Sequence, residues 1–120
     1  MTRTLLFVCP HGAAKSRMAA AYFNRVAPPG WWATSAGQEP SESVSPNAVR
    51  LLAGGEAESL LDHEPPQPIA AVTTPARTVA IDCDVVDAER WNLTHQLFDD
   101  AMRDELRHRA ETLARSLTDG

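Results

Sequence analysis

The residues best suited to chemistry lie near the start of the chain, where Cys9 is followed six positions later by Lys15 and then by Ser16. Small residues in between let successive backbone N–H groups point toward a common centre, where they can bind an anion. A lysine and a helix N-terminus add positive charge, which favours a thiolate over a thiol. The pattern therefore predicts a nucleophilic Cys9 beside an oxyanion-binding loop, whose candidate residues are His11, Gly12, Ala13, Ala14, Lys15 and Ser16.

Several side chains near this loop admit more than one role. Ser16 could cap the following helix and could also donate a hydrogen bond to the Cys9 sulfur. His11 could donate to an oxyanion or could equally be a solvent-facing loop residue. Arg17 could add a second cation to the anion site, but as the second residue of the expected helix it is expected to face solvent. The alternative for the whole stretch is an ordinary strand–helix connection in which Cys9 is a buried core residue.

The elements that must position these residues are a strand before the loop and a helix after it. Residues 4–8 (TLLFV) form a continuous apolar run, which is typical of a strand buried on both faces. From Ser16 onward, apolar residues recur at helical spacing until residues 28–30 (PPG) end the helix. Similar patterns predict strands at 31–35, 78–81 and 90–93, a helix beginning at Pro46, a proline-rich loop at 62–75 and a final helix from Phe98 to Leu117.

Strands that alternate with helices predict an α/β fold with a mostly parallel sheet, in one domain spanning residues 1–120. The net charge of −5 argues against a nucleic-acid partner. No apolar stretch is long enough for a membrane span, and no secretory signal is recognisable, so we expect a cytoplasmic protein without membrane contact. Two cysteines are too few for a disulfide scaffold, and no histidine has metal-ligand spacing to either, so no metal site is predicted.

The segment LLFVC-x5-KS-RMAAAYF resembles the opening of the low-molecular-weight protein tyrosine phosphatase and thioredoxin-type arsenate reductase superfamily. The segments at 34–40 (TSAGQEP) and 44–52 (VSPNAVRLL) extend the resemblance, and this pair is closer to the arsenate reductase branch, as is the final helix. The resemblance implies a three-layer α/β fold around a four-stranded sheet. It also implies a thiol-dependent oxyanion enzyme, in first place an arsenate reductase and as the alternative a low-molecular-weight phosphatase.

Three departures from the family pattern leave a further alternative open. Lys15 replaces the family's loop arginine, so a point charge replaces a planar two-pronged donor. Gly12 stands where the family has an asparagine. The late Asp-Pro, whose aspartate acts as general acid or base, is missing, although Asp82, Asp84 or Asp87 could substitute. The chain could therefore be a degenerate member that binds an oxyanion or a protein without turnover.

The second cysteine, Cys83, falls where the resemblance implies a resolving cysteine. Attack by Cys83 on an arsenylated Cys9 would release arsenite and leave a disulfide. Alternatively, Cys83 is only a small apolar residue at a strand end. The family's second resolving cysteine has no counterpart in this sequence, and Glu89 stands near its position. The expected partners are therefore a small oxyanion (arsenate or phosphate) or a phosphorylated substrate, with no bound cofactor and an external thiol or thioredoxin-type protein as reductant.

Overall fold

The apolar run near the N-terminus forms the central strand of the sheet. In a computed structural model that describes residues 2–118, this strand is β1 (Arg3–Cys9), and its last five residues are buried. It pairs in parallel with β2 (Trp31–Gly37) on one side and with β3 (Arg77–Ile81) on the other. A strand that is hydrogen-bonded on both edges and covered on both faces has no polar side to present, which explains its continuous apolar sequence.

The sheet has the strand order β2-β1-β3-β4, and β4 (Glu89–Trp91) also pairs in parallel with β3. The prediction of a four-stranded parallel sheet is thus confirmed. The chain moves from β1 to β2 in one direction and then crosses back to β3 on the other side of β1. The carboxyl ends of β1 and β3 therefore flank the change in strand order, which is where open α/β sheets bind their ligands.

The helices pack on one face of the sheet. They are α1 (Lys15–Arg25), α2 (Pro46–Leu52) and α3 (Asp100–Thr118). As predicted, α2 begins at Pro46, and the Ser45 hydroxyl caps it by accepting from the Asn47 N–H at 3.2 Å. The apolar sides of all three helices contribute to one core, whose largest fully buried members include Phe7, Met18, Phe23, Met102 and Leu106.

The opposite face of the sheet is covered by turns and loops. Its buried cluster is formed by Leu6, Val8, Ala36, Ala80 and Cys83. Partly buried residues of two irregular segments pack on it, among them the short 3-10 turn Ile69–Ala71. The connection between β3 and β4 spans only residues 82–88, too short for a helical crossover. The predicted three-layer α/β arrangement is present, with a thin third layer.

One membrane-related finding follows from the helices. Across residues 2–118, none of them combines the length and the apolar composition that a bilayer crossing requires.

Candidate functional site

The backbone carbonyl groups of the loop between Cys9 and α1 point outward and accept hydrogen bonds. The carbonyls of residues 9–14 accept hydrogen bonds from, in order, the backbone N–H groups of Gln38, Glu39 and Ser41, the Arg17 side chain, and the N–H groups of Ser45 and Met18. By contrast, within residues 2–118 the backbone N–H groups of residues 12–15 have no protein acceptor. Donors arranged in this way form an anion-binding nest at the start of a helix.

Gly12 is required by the path of this loop. Its φ is +65°, and a Cβ at this position would lie 2.7 Å from the backbone nitrogen of Gly37. In turn, a Cβ on Gly37 would lie 2.4 Å from the carbonyl carbon of His11. The loop therefore packs backbone to backbone against the end of β2, and only glycine fits at either position. Gly12 takes this left-handed conformation where the family pattern has an asparagine.

Cys9 and Ser16 contact each other below the loop. The Cys9 side chain is buried, and its Sγ lies 3.1 Å from the Ser16 Oγ, so the two groups are within hydrogen-bond distance, with either atom able to donate. The prediction that Ser16 caps the helix is wrong, because α1 starts at Lys15 and the capping position is held by Ala14 without a side-chain bond. Ser16 lies inside the first turn, where its hydroxyl is free to serve the thiol.

Lys15 is already paired with a carboxylate across the mouth of the loop. Its Nζ donates to Asp82 Oδ2 at 2.8 Å, and both side chains are 15% exposed. Burial alone would raise the pKa of Asp82, but hydrogen bonds from Lys15, from the Leu93 N–H and from Gln96 bring that pKa below its ordinary value. Of the three aspartates that could replace the missing Asp-Pro, Asp82 is thus the one in contact with the loop cation.

The other two aspartates lie outside the loop. Asp84 forms an ion pair with Arg90, and its backbone carbonyl accepts from Gln38. Asp87 is exposed, in a turn with φ +62°. Neither position brings a carboxyl group to Lys15.

Arg17 does not face solvent, and the expectation that it would is wrong. Only 2% of its surface is exposed, and its guanidinium donates to the carbonyls of Gly12 (3.2 Å), Asp62 (2.5 Å) and Glu64 (2.6 Å). Burial lowers the pKa of Arg17, while the nearby carboxylates of Asp62 and Glu64 oppose that shift. Arg17 thus ties the oxyanion loop to a segment some 45 residues further along the chain.

The remaining loop residues line a cavity in front of the thiol. Ala13 and Ala14 are buried, whereas His11 is exposed and its Nδ1 lies 3.1 Å from the Glu39 carbonyl oxygen. The cavity measures about 440 Å³, and its walls include Cys9, Pro10, Lys15, Val44 and Phe98. A second hollow of about 570 Å³ lies between β4 and α3. There Glu105 is already bonded to His95 and Arg109, so we place the candidate site at the Cys9 cavity.

Cys83 lies on the other side of the sheet from the Cys9 thiol. Cys9 belongs to the helix-covered core and Cys83 to the cluster under the loops, and both thiols are free. The Cys83 Sγ is 3.7 Å from the carbonyl oxygen of Val8, so it is close to the Cys9 backbone. Burial raises the pKa of Cys83, and the nearby Cys9 raises it further. Direct attack on the Cys9 sulfur would therefore require the segment after β3 to rearrange.

No metal site accompanies these groups in residues 2–118, where the structure shows no cluster of three or more His, Cys, Asp or Glu side chains suited to a metal ion.

The fold of this chain also occurs in other solved structures. No family model matches the sequence, and no curated protein does. Among solved structures, an arsenate reductase from Archaeoglobus fulgidus is 29% identical, with a TM-score of 0.75 over 92% of this chain and 98% of that one. The chain has the fold of the arsenate reductase and low-molecular-weight phosphatase superfamily.

Two further similar structures show the fold alone, since each is at most 20% identical to the chain. A thioredoxin-dependent arsenate reductase from Corynebacterium glutamicum has a TM-score of 0.74 and 20% identity; the match covers 96% of this chain but 61% of that one. A low-molecular-weight protein tyrosine phosphatase from T. tengcongensis has a TM-score of 0.70 and 18% identity, over 96% and 99%. The fold implied by the resemblance in the sequence is thus confirmed, and the similar structures include both arsenate reductases and a phosphatase.

Proposed function

We propose that the chain is a thiol-dependent oxyanion enzyme of the arsenate reductase type, with Cys9 as its nucleophile. The observation that carries the proposal is the loop at residues 9–16. Its carbonyls are bound outward, and the N–H groups of residues 12–15 are left for an anion. The 29% identical reductase supports the same chemistry. The helix N-terminus and Lys15 supply the positive charge that an oxyanion needs.

The reaction proposed at Cys9 begins with attack of the thiolate on As(V). An S–As bond forms and an As–O bond breaks, and the departing hydroxide is protonated by solvent. A second thiolate then attacks the Cys9 sulfur, and the electron pair of the S–As bond stays with arsenic, which leaves as arsenite. Cys9 is left in a mixed disulfide, and another thiol restores it, so two thiols are oxidised for each As(V) reduced to As(III).

We assign the second thiol to an external reductant, either a small thiol or a thioredoxin-type protein. Cys83 has its sulfur on the opposite face of the sheet and its pKa raised by burial, so it is a poor attacking group in this arrangement. The cavity of about 440 Å³ in front of Cys9 leaves room for an incoming thiol beside a bound oxyanion.

The deciding experiment measures arsenite formed from arsenate with a thiol alone and with a thioredoxin system. We expect turnover by the wild type, none by Cys9→Ser and retained turnover by Cys83→Ser, which is the matched thiol control. The proposal is wrong if the wild type forms arsenite no faster than Cys9→Ser. Loss of activity in Cys83→Ser would return the resolving role to Cys83.

A phosphatase is the second candidate, favoured by the apolar walls that Pro10, Val44 and Phe98 add to the cavity, where an aryl group could lie. Release of phosphate from an aryl ester, abolished in Cys9→Ser and increased in Lys15→Arg, would support it, because arginine holds two oxygens of a transferring phosphoryl group.

The Lys15–Asp82 pair favours a third candidate, anion binding without chemistry. Calorimetry would then show binding while mass spectrometry finds Cys9 unmodified after exposure to arsenate and thiol.

A further inference from the structure

Lys15 has one hydrogen-bond donor left for a ligand. An ammonium group carries three N–H donors. One is bonded to Asp82 Oδ2 at 2.8 Å, and a second is directed to Gln96 Oε1 at the longer distance of 3.5 Å. Lys15 also lines the cavity in front of Cys9. An oxyanion held there by Lys15 therefore shares the ammonium with the carboxylate of Asp82.

The carboxylate of Asp82 is fixed in place and can only accept hydrogen bonds. Its Oδ1 accepts from the Leu93 N–H at 2.9 Å, while Oδ2 accepts from Lys15 and from Gln96 at 3.2 Å. These contacts keep the pKa of Asp82 below its ordinary value, so the group is ionised at neutral pH. Among the described residues, Asp82 is the one carboxylate hydrogen-bonded to Lys15.

We propose that Asp82 is a specificity-determining residue, which makes the site select tetrahedral anions that carry an O–H group over fully ionised ones. This inference rests on the proposed oxyanion site. Two acceptors on one ammonium lie roughly 4–5 Å apart, so a second oxygen of the same anion can come within hydrogen-bond distance of Asp82. An O–H on that oxygen donates to the carboxylate, whereas a bare anionic oxygen is repelled by it.

A preference for anions that carry an O–H group would separate two classes of substrate. Arsenate and phosphate retain an O–H at neutral pH and would be accepted. Sulfate has the same shape but no O–H, and the dianion of a phosphate monoester has none either, so both would be disfavoured. Asp82 would thus favour inorganic arsenate over phosphorylated substrates, which is the choice left open between the two branches of the superfamily.

The test is protection of Cys9 from alkylation by iodoacetamide, followed by peptide mass mapping, with phosphate or sulfate as the added anion at constant ionic strength near neutral pH. In the wild type we expect phosphate to protect at roughly tenfold lower concentration than sulfate, the effect of about one hydrogen bond. In Asp82→Asn the two anions should protect within about threefold of each other. Asp84→Asn, the matched control on the neighbouring exposed aspartate, should behave as the wild type.

The outcomes distinguish this inference from the function on which it rests. Equal protection of the wild type by phosphate and sulfate would overturn the inference and leave the oxyanion site in place, and this comparison needs no variant to fold. A gain for both anions in Asp82→Asn with an unchanged ratio would also overturn it, since Asp82 would then merely compete for Lys15. Protection by neither anion in either protein would refute the oxyanion site itself.

Discussion

Replacing Arg17 by methionine should destabilise the whole domain, because this one side chain joins two distant segments. Methionine keeps an unbranched apolar stem but removes the donors to the carbonyls of Gly12, Asp62 and Glu64. Each hydrogen bond from a charged donor contributes about 1.5–3 kcal/mol. The exposed side chains of Asp62 and Glu64 suggest that water can reach their carbonyls in the variant. We therefore expect a loss of about 3–5 kcal/mol in the free energy of unfolding.

The size of this loss can be set against the stability of the domain. A domain of 120 residues has a typical unfolding free energy of about 6–18 kcal/mol, so Arg17→Met should still fold at low temperature. Its melting temperature should fall by roughly 10–20 °C. Denaturant unfolding can be followed by the fluorescence of the buried Trp31 and Trp91. Arg115→Met is the matched control, since Arg115 is exposed and donates to Thr112 on its own helix, and it should change stability by less than about 0.5 kcal/mol.

A second measurement tests whether Arg17 serves the oxyanion loop or only the segment at residues 62–64. At a temperature where Arg17→Met is folded, phosphate should protect Cys9 from alkylation less well than in the wild type, since the Gly12 carbonyl is released and the loop loosens. Arg17→Lys should be intermediate, because one ammonium cannot span three carbonyls as a planar fork does. An unfolding free energy within about 1 kcal/mol of the wild type, or unchanged protection in a destabilised Arg17→Met, would refute the reasoning.

Three further predictions concern Gly12, Ser16 and Glu105. Gly12→Ala should cost about 3 kcal/mol or more in unfolding free energy, and Gly54→Ala only about 1 kcal/mol. Both glycines have a positive φ, but of the two only Gly12 would bring its Cβ against backbone atoms. Equal costs would contradict the predicted clash. Ser16→Ala should slow alkylation of Cys9 near neutral pH roughly three- to tenfold, since it removes the hydroxyl 3.1 Å from the sulfur, and an unchanged rate would exclude that role. Burial would raise the pKa of Glu105, but hydrogen bonds from the backbone N–H groups at residues 94–95 and from the side chains of His95 and Arg109 lower it from 4.5 to about 2. A pKa depressed in the folded state stabilises the fold above the unfolded value, and this contribution is lost as the pH falls through the folded one. The destabilisation caused by Glu105→Gln should therefore be full above about pH 4.5 and vanish toward pH 2; a pH-independent difference would contradict it.

The parts of the fold that depend on local pattern could be predicted from the sequence. An apolar run predicted β1, and Pro46 predicted the start of α2, because strand burial and helix initiation are decided by neighbouring residues. The contact between Ser16 and Cys9 was also predictable, since the loop that joins them is short and the helix start brings the hydroxyl back to the strand end.

The missed features depend on distant backbone atoms. Arg17 is in the first helical turn, a position that often faces solvent, but two of its acceptors are carbonyls at residues 62 and 64, which no sequence pattern displays. The sequence held one signal of this role, which is that the glycine and alanines of the loop have no long side chains that could support its backbone. The face on which Cys83 lies was equally hidden, because a regular strand would place Cys83 on the same face as Ile81. The chain instead turns at Asp82, with φ +54°, and Cys83 lies on the opposite face.

The structure suggests how the loop could function without the arginine of the family pattern. Arg17 is not placed to bind the substrate, because its Nε and Nη1 donate to three backbone carbonyls and the residue does not line the cavity in front of Cys9. Lys15 can reach the cavity, but Asp82 offsets its charge. The oxyanion would then be held mainly by backbone N–H groups, while Arg17 fixes the loop. Lys15 and Asp82 would distinguish an anion that carries an O–H group from one that does not. Such a site suits a small inorganic anion that brings its own O–H better than it suits the charge that develops during phosphoryl transfer.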